Sequence, residues 1–501
     1  MRLKSNCYLP SLHQIRTIAV ACFLFTAIVL LFSCAAQSRN KDVLTHEISN
    51  AFASGALITD NYVNTDHRRG KYIFNDCLIL QILLIKKDSL FSDVVTSHIL
   101  KDKVAEPCAT LKRAVTNGPH SFDTYAYSRY FWGAKALVGL ALPFASIDSI
   151  KFFLSLLVYI VLLCAAGISI FRFFSKLNSA PSSPVTIFVI VICLLTLYDL
   201  RDFSVTFSHG FSELVIAIYL LYSAIWPGKL LTNHDGTPWR LILFGAFTAW
   251  FELLTGPMVM AIGLAVLVEH AHAVDRTKAI ARAFRVGFTV ALSVIFTLLW
   301  LQFFVALFGD SRNVLQFIYH LLLRMQVHLI FDVPVEKSWQ IKENMHNYTP
   351  TEVVNAVLDC MKLLTYDNAA AAKWLFLCSL VCLSVCVIVA KFERFYFQLI
   401  AVYGLVFFFL IVWYFVFSNH TAIHAFMMVR PLVLLPICAV LALYHLLMSW
   451  NGNAWRFRHF EVGASGSGDR GGFTVHRRSL VARKLKHSQD TGVKTGIPWL
   501  R

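Results

Sequence analysis

Runs of apolar residues long enough to cross a lipid bilayer, repeated along the chain and separated by short polar turns, constrain this sequence more than any other feature. Thr17 to Ala36, Phe152 to Phe171, Val286 to Phe308, Phe395 to Phe417 and Pro431 to Met448 stand out, and a hydrocarbon core about 30 Å thick needs about 20 residues of helix. Trp374 to Ala390, Val185 to Tyr198 and Phe211 to Trp226 are shorter runs of the same kind. With 57% hydrophobic residues and a mean hydropathy of +0.61, the chain has more apolar surface than a soluble domain can bury. The reading is an all-α, polytopic integral membrane protein with about ten transmembrane helices.

Charge sets the expected orientation. The net charge of +16 comes from basic residues at span ends, in long loops and in the C-terminal tail. That is the pattern of the positive-inside rule, and it gives nucleic-acid binding little support. Residues 1–16 carry Arg2, Lys4 and Arg16 and are expected in the cytoplasm, with 17–36 as the first transmembrane helix. A cleaved signal peptide, or a lipoprotein signal ending at Cys34, are the rival readings; Phe32 suits such a cleavage site poorly. Residues 37–150 are expected as a long exoplasmic loop, in which Ala134 to Phe144 is too short to span and reads as an interfacial or re-entrant helix. Residues 151–308 read as a transmembrane bundle, 309–373 as a second exoplasmic loop, 374–450 as C-terminal transmembrane helices, and 451–501 as a basic, disordered cytoplasmic tail. The expected location is a cell membrane, that of a bacterial inner membrane, with both termini cytoplasmic.

The stretch 241–268 sets its ends against its middle. Both flanks are basic, the second through Arg276, Lys278, Arg282 and Arg285, while Gly256-Pro257 interrupts the apolar run. Two cytoplasmic flanks require a hairpin of two short helices, with Glu252 near its outer tip. One long kinked helix is the alternative, and it would put Glu252 at mid-membrane.

With this topology the ionisable residues near membrane ends collect on the outer side: Asp76, Arg129, Asp199, Asp202, His209, Glu213, Glu252, Arg324, His420, His424 and Arg430. Charge at membrane depth is costly, so a one-sided collection marks a catalytic or binding face. A transporter would more readily place such groups at the midplane, between internal repeats. Asp76 stands ahead of Cys77-Leu78-Ile79-Leu80 and is also what an ordinary helix-capping acid looks like. His420 and His424, four residues apart, do not by themselves make a metal site. Arg430 is either a headgroup anchor or a phosphate grip. Of the 12 cysteines, Cys77 and Cys108 share the first long polar segment and could pair in an oxidising compartment. Cys378, Cys382 and Cys386 read as packing residues. Asn347-Tyr348-Thr349 and Asn419-His420-Thr421 are glycosylation sequons.

Four patches carry a resemblance. Asn75-Asp76-Cys77-Leu78-Ile79-Leu80, Tyr127-Ser128-Arg129-Tyr130-Phe131-Trp132-Gly133, Phe251-Glu252-Leu253-Leu254-Thr255-Gly256-Pro257 and Ser418-Asn419-His420-Thr421-Ala422-Ile423-His424 resemble patches of bacterial multi-pass glycosyltransferases of the GT-C superfamily. The resemblance covers most of residues 15 to 450. It implies transfer of a sugar from a polyprenyl-phosphate carrier to a glycan or glycolipid acceptor outside the cytoplasm. Asp76 would be the catalytic base and Glu252 would orient the acceptor or a metal. Arg324 or Arg430 would hold the leaving phosphate, and Arg129, Trp132, His209, His420 and His424 would line the substrate site. Many members place the acid nearer the first helix, which makes Asp60 and Asp66 competitors of Asp76. A divalent cation is compatible, but no firm motif demands one. A glycan exporter or flippase, and a polysaccharide polymerase or ligase, are the alternatives.

Overall fold

The computed structural model describes residues 10–59, 67–86, 89–101, 106–127, 133–175, 182–198, 200–226, 238–251, 257–272, 278–325, 348–365, 368–391, 394–423 and 425–448. The chain divides into a unit of Met1–Leu446 and a second of Leu447–Arg501. The tail expected at 451–501 lies outside the described residues.

Helix α1 (Leu12–Gln37) opens the fold, with Ser11 and Gln14 closing a reciprocal capping box at its start. A group of short elements follows: α2 (Lys41–Ala53), α3 (His67–Leu84), α4 (Leu90–Thr96), β1 (His98–Lys101), α5 (Pro107–Asn117), β2 (Asp123–Ala126) and α6 (Gly133–Ala141). Here the loop expected at 37–150 is built of ordered secondary structure. Its antiparallel pair β1–β2, with Ile99 opposite Tyr125, carried no sequence signal that stood out from the surrounding loop. The bundle continues with α7 (Ile147–Phe174), α8 (Ser182–Leu197), α9 (Leu200–Ser204), α10 (Phe207–Ile225), α11 (Trp239–Phe251), α12 (Pro257–Ala271), α13 (Ala279–Phe308) and α14 (Arg312–Arg324). It ends with α15 (Pro350–Cys360), α16 (Ala369–Lys391), α17 (Arg394–Val416), α18 (Ser418–Ile423), α19 (Ala425–Met428) and α20 (Arg430–Met448).

Among the described residues six helices are long and apolar enough to cross a membrane: α1, α7, α10, α13, α16 and α20. Shorter apolar helical stretches are Phe74–Leu84 of α3, Ser183–Leu197 of α8, Trp239–Phe251 of α11, Met258–Ala271 of α12 and Ile400–Val416 of α17. This is a mostly helical, membrane-embedded protein, with exposed Phe152, Phe153, Phe171 and Phe174 along α7 as expected of a lipid-facing surface. Inside the bundle, hydroxyls spend their donors within their own helix: Thr26 on Cys22 O, Thr248 on Phe244 O and Thr297 on Ser293 O. Close approach needs small residues. At Gly245 an added Cβ would lie 2.7 Å from the Val290 carbonyl oxygen of α13.

The two ends of the bundle differ in chemistry. At one end α1 finishes and α7 and α10 begin, with elements of the group α2–α6 packed against all three; α20 begins where Arg430 meets His209 and Glu213 of α10. At the other lie the starts of α11, α13 and α17 and the ends of α7, α12 and α16, with Arg172, Arg240, Arg282, Arg285, Lys391 and Arg394 at or near those helix termini. The start of α11 meets the end of α12 through an ion pair between Arg240 Nη2 and Glu269 Oε1, so the two helices run antiparallel as a hairpin.

Candidate functional site

At the end covered by α2–α6, the geometry is built around α10. Thr206 occupies its N-cap position, but the Thr206 hydroxyl donates to Phe203 O at 3.0 Å and caps nothing. The missing acceptor comes from 131 residues away: Asp76 Oδ1 accepts the Phe207 amide at 2.8 Å and the Ser208 amide at 3.3 Å. Its second oxygen lies 2.8 Å from Lys151 Nζ, on the first turn of α7. Burial pushes the Asp76 carboxyl above its ordinary range, while Lys151 and the two amides pull it back. Asp76 is 0% exposed. The side chain that most resembles a catalytic acid in the sequence therefore joins three helices, α3, α7 and α10.

In the first turn of α10 and one turn further along, His209 and Glu213 face a second buried group. Arg430, the first residue of α20, is 0% exposed. Its Nη2 donates to Glu213 Oε1, its Nε to the Tyr198 hydroxyl, and its Nη1 lies 3.0 Å from His209 Nδ1. Tyr198 also donates to Glu213 Oε1 at 2.6 Å. The guanidinium carbon stands 4.2 Å from the centre of the Phe203 ring, a cation–π contact. Four segments meet here, and a carboxylate, a phenol and an imidazole on one planar cation give the bidentate fixing that Lys could not supply. Arg430 is thus neither at a headgroup nor open to a ligand in this conformation.

His420, on α18, is 3% exposed, and α15 and α14 pack against that helix. Asn419 is 2% exposed, so its sequon does not present a surface acceptor. Arg324 closes α14 and is half-buried. Asp60, Asp66, Arg129, Trp132, Asp199, Glu252, His424 and Asn347 lie outside the described residues. Of the residues singled out in the sequence, the structure brings His209, Glu213 and Arg430 together. It adds Tyr198, Lys151 and Phe203, which are ordinary-looking span-end residues in a linear reading. Among the described residues no three His, Cys, Asp or Glu side chains gather to hold a metal ion.

The group α2–α6 carries its own buried chemistry. Cys77 and Cys108 are joined in a disulfide, with their Cα atoms 5.1 Å apart, tying α3 to α5. Lys135, on α6, is 2% exposed and donates to Val94 O at 2.7 Å and to Ser97 Oγ at 2.6 Å. Ser97 adopts the left-handed backbone region at φ 51°, a strained place for a residue with a Cβ. Burial pushes the Lys135 amine down to about 7, with Cys34 and Asp93 opposing the fall. A small hollow between α1, α2, α3 and α6 is lined by Ala36, Arg39, Val43, Leu83 and Leu142. Comparison with protein-family models, with curated proteins and with solved structures finds no match.

Proposed function

We propose that this protein is a membrane glycosyltransferase that moves a sugar from a polyprenyl-phosphate carrier to a glycan or glycolipid acceptor at the exoplasmic face of a cell membrane. One observation carries the reading: the disulfide-closed group α2–α6 is packed over one end of the bundle, and the basic helix termini lie at the other. A Cys77–Cys108 bond belongs in an oxidising compartment, and basic termini belong in the cytoplasm. The two rules orient the bundle the same way, with both chain ends inside and α2–α6 outside.

Depth favours transfer over transport. The buried charges of α10 sit near its outer end at Glu213, and Tyr219 reaches Glu269 nearer its inner end, while Ile216 and Ala217 between them are apolar. A transport path would call for polar groups at that midplane.

The roles follow from reach. Asp76 is enclosed and engaged, so it positions α10. The base that deprotonates the acceptor hydroxyl falls to Asp60 or Asp66, and Glu252 orients the acceptor. Arg324, half-buried at the end of α14, takes the leaving phosphate, because the donors of Arg430 are turned inward. The test is complementation of cells lacking the protein with Asp60→Asn, Asp66→Asn and Asp76→Asn, scored by surface-glycan mass spectrometry at matched protein levels. Loss of one sugar with a well-folded Asp60 or Asp66 variant supports the assignment. Full rescue by both removes them from the chemistry.

A further inference from the structure

At the basic end of the bundle a second buried group lies outside the proposed transfer site. Arg240, in the first turn of α11, is 9% exposed and gives Nη2 to Glu269 Oε1, which also accepts the Tyr219 hydroxyl at 3.3 Å. Its Nε and Nη1 are buried and meet no hydrogen-bond acceptor. His272, just past α12, is 5% exposed, with Nδ1 2.7 Å from Ser183 Oγ and Nε2 buried without a partner. Burial depresses the basicity of this imidazole most, and the positive charges of Arg240 and Arg172 depress it further. Arg172 anchors itself on Ala224 O at 2.7 Å.

Unsatisfied donors on a buried guanidinium are costly, and a native structure rarely leaves them so. The surplus here is mainly of donors. Arg240 Nε and Nη1 lack acceptors, while Glu269 gives Oε1 to Arg240 and Tyr219 and leaves Oε2 buried without a partner. Ser183 and Arg240 lie in the first turns of α8 and α11, so the positive ends of these two helices are at the group. With the Ser183 hydroxyl donating to Nδ1, the ring proton lies on Nε2, which then adds one more donor. Fixed N–H donors that match tetrahedral oxygens are what a phosphate needs.

We propose that Arg240, Arg172 and His272 form a phosphate-binding site at the basic end of the bundle. Its ligand is either the headgroup of an anionic phospholipid in the cytoplasmic leaflet or a soluble phosphate. The site does not depend on the transferase reading.

The test is thermal melting of the full-length protein in a neutral detergent, titrated with phosphatidylglycerol, with inorganic phosphate, or with dioleoylglycerol, which lacks phosphate. Wild type is compared with Arg172→Gln and His272→Gln, both of which leave the Arg240–Glu269 pair intact. A third variant, Arg240→Gln with Glu269→Gln, removes that pair without stranding either charge. The expected result is a rise in melting temperature with phosphatidylglycerol and none with dioleoylglycerol, the apparent affinity falling about tenfold or more in each variant, as for loss of one charge-assisted hydrogen bond. A rise with phosphatidylglycerol alone makes the ligand a headgroup; a rise with inorganic phosphate as well makes it phosphate itself. No rise with either in wild type, or equal rises in all variants, overturns the proposal.

Discussion

Replacing Lys151 by Met should be among the most damaging single changes in this protein, although nothing in the linear sequence marks Lys151. In the structure its ammonium lies 2.8 Å from Asp76 Oδ2, with both residues buried. At an effective dielectric of about 20, that separation gives about 6 kcal/mol of attraction. Removing both groups from water offsets most of this gain, so the intact pair contributes modestly. Breaking it is different: Lys151→Met strands a carboxylate at 0% exposure, at a cost of about 3–5 kcal/mol. Asp76→Asn strands the ammonium but keeps an oxygen for the Phe207 amide, whereas Asp76→Ala also loses the cap, about 1 kcal/mol more. The double variant Asp76→Asn with Lys151→Met strands no charge and should melt above either single variant. The assay is thermal melting of purified full-length protein in detergent for wild type, the three single variants and the double. If Asp76→Asn and Lys151→Met both melt with wild type, the pair does not hold α10 in place, and a loss of activity in Asp76→Asn would then return Asp76 to the chemistry.

Three further outcomes are expected. Replacing Cys77 and Cys108 by Ser opens a link of sequence separation 31, which loop-closure entropy values at about 4 kcal/mol, so α2–α6 should become sensitive to protease while the bundle stays resistant; equal cleavage of both proteins counts against the bond. Lys135, held near 7 against about 10.4 in an unfolded chain, binds fewer protons folded than unfolded between those values. Its penalty is full below about pH 7 and is relieved as pH rises from there toward 10, so the melting advantage of Lys135→Met over wild type should shrink from pH 6 to pH 9, and a constant difference would refute the shift. Gly245→Ala places a Cβ 2.7 Å from the Val290 carbonyl oxygen and should cost about 1–3 kcal/mol, read as a lower melting temperature; an unchanged value would mean α11 and α13 are not packed this closely.

Long apolar helices, six of them among the described residues where about ten spans were expected, were legible because lipid leaves a pattern that survives without tertiary information. The hairpin expected at 241–268 came from its basic flanks and from Gly256-Pro257; in the structure α11 and α12 fall on either side of that interruption, and Arg240 at the start of α11 pairs with Glu269 near the end of α12. The site was less legible. Asp76 looks the same in sequence whether it serves chemistry or caps a helix, and only the 131-residue reach to Phe207 separates the two. Tyr198, Lys151 and Glu269 sit at span ends, where headgroup anchors are common, so their burial depends on which helices become neighbours. The strands β1 and β2 are four residues each and pair across residues 102–122, too little local pattern to announce a sheet. Lys135 shows the same limit: its burial follows from α4 and Ser97 closing over it, which no window around residue 135 contains.

The most direct test of the transferase reading is mass spectrometry of polyprenyl-linked sugars and surface glycans from cells with and without this protein. One sugar missing from the surface glycan, together with an accumulated polyprenyl-phosphate carrier still bearing that sugar, is the expected result. Complete glycan retained on the inner side of the membrane, or an unchanged pool of both carrier and glycan, would contradict it.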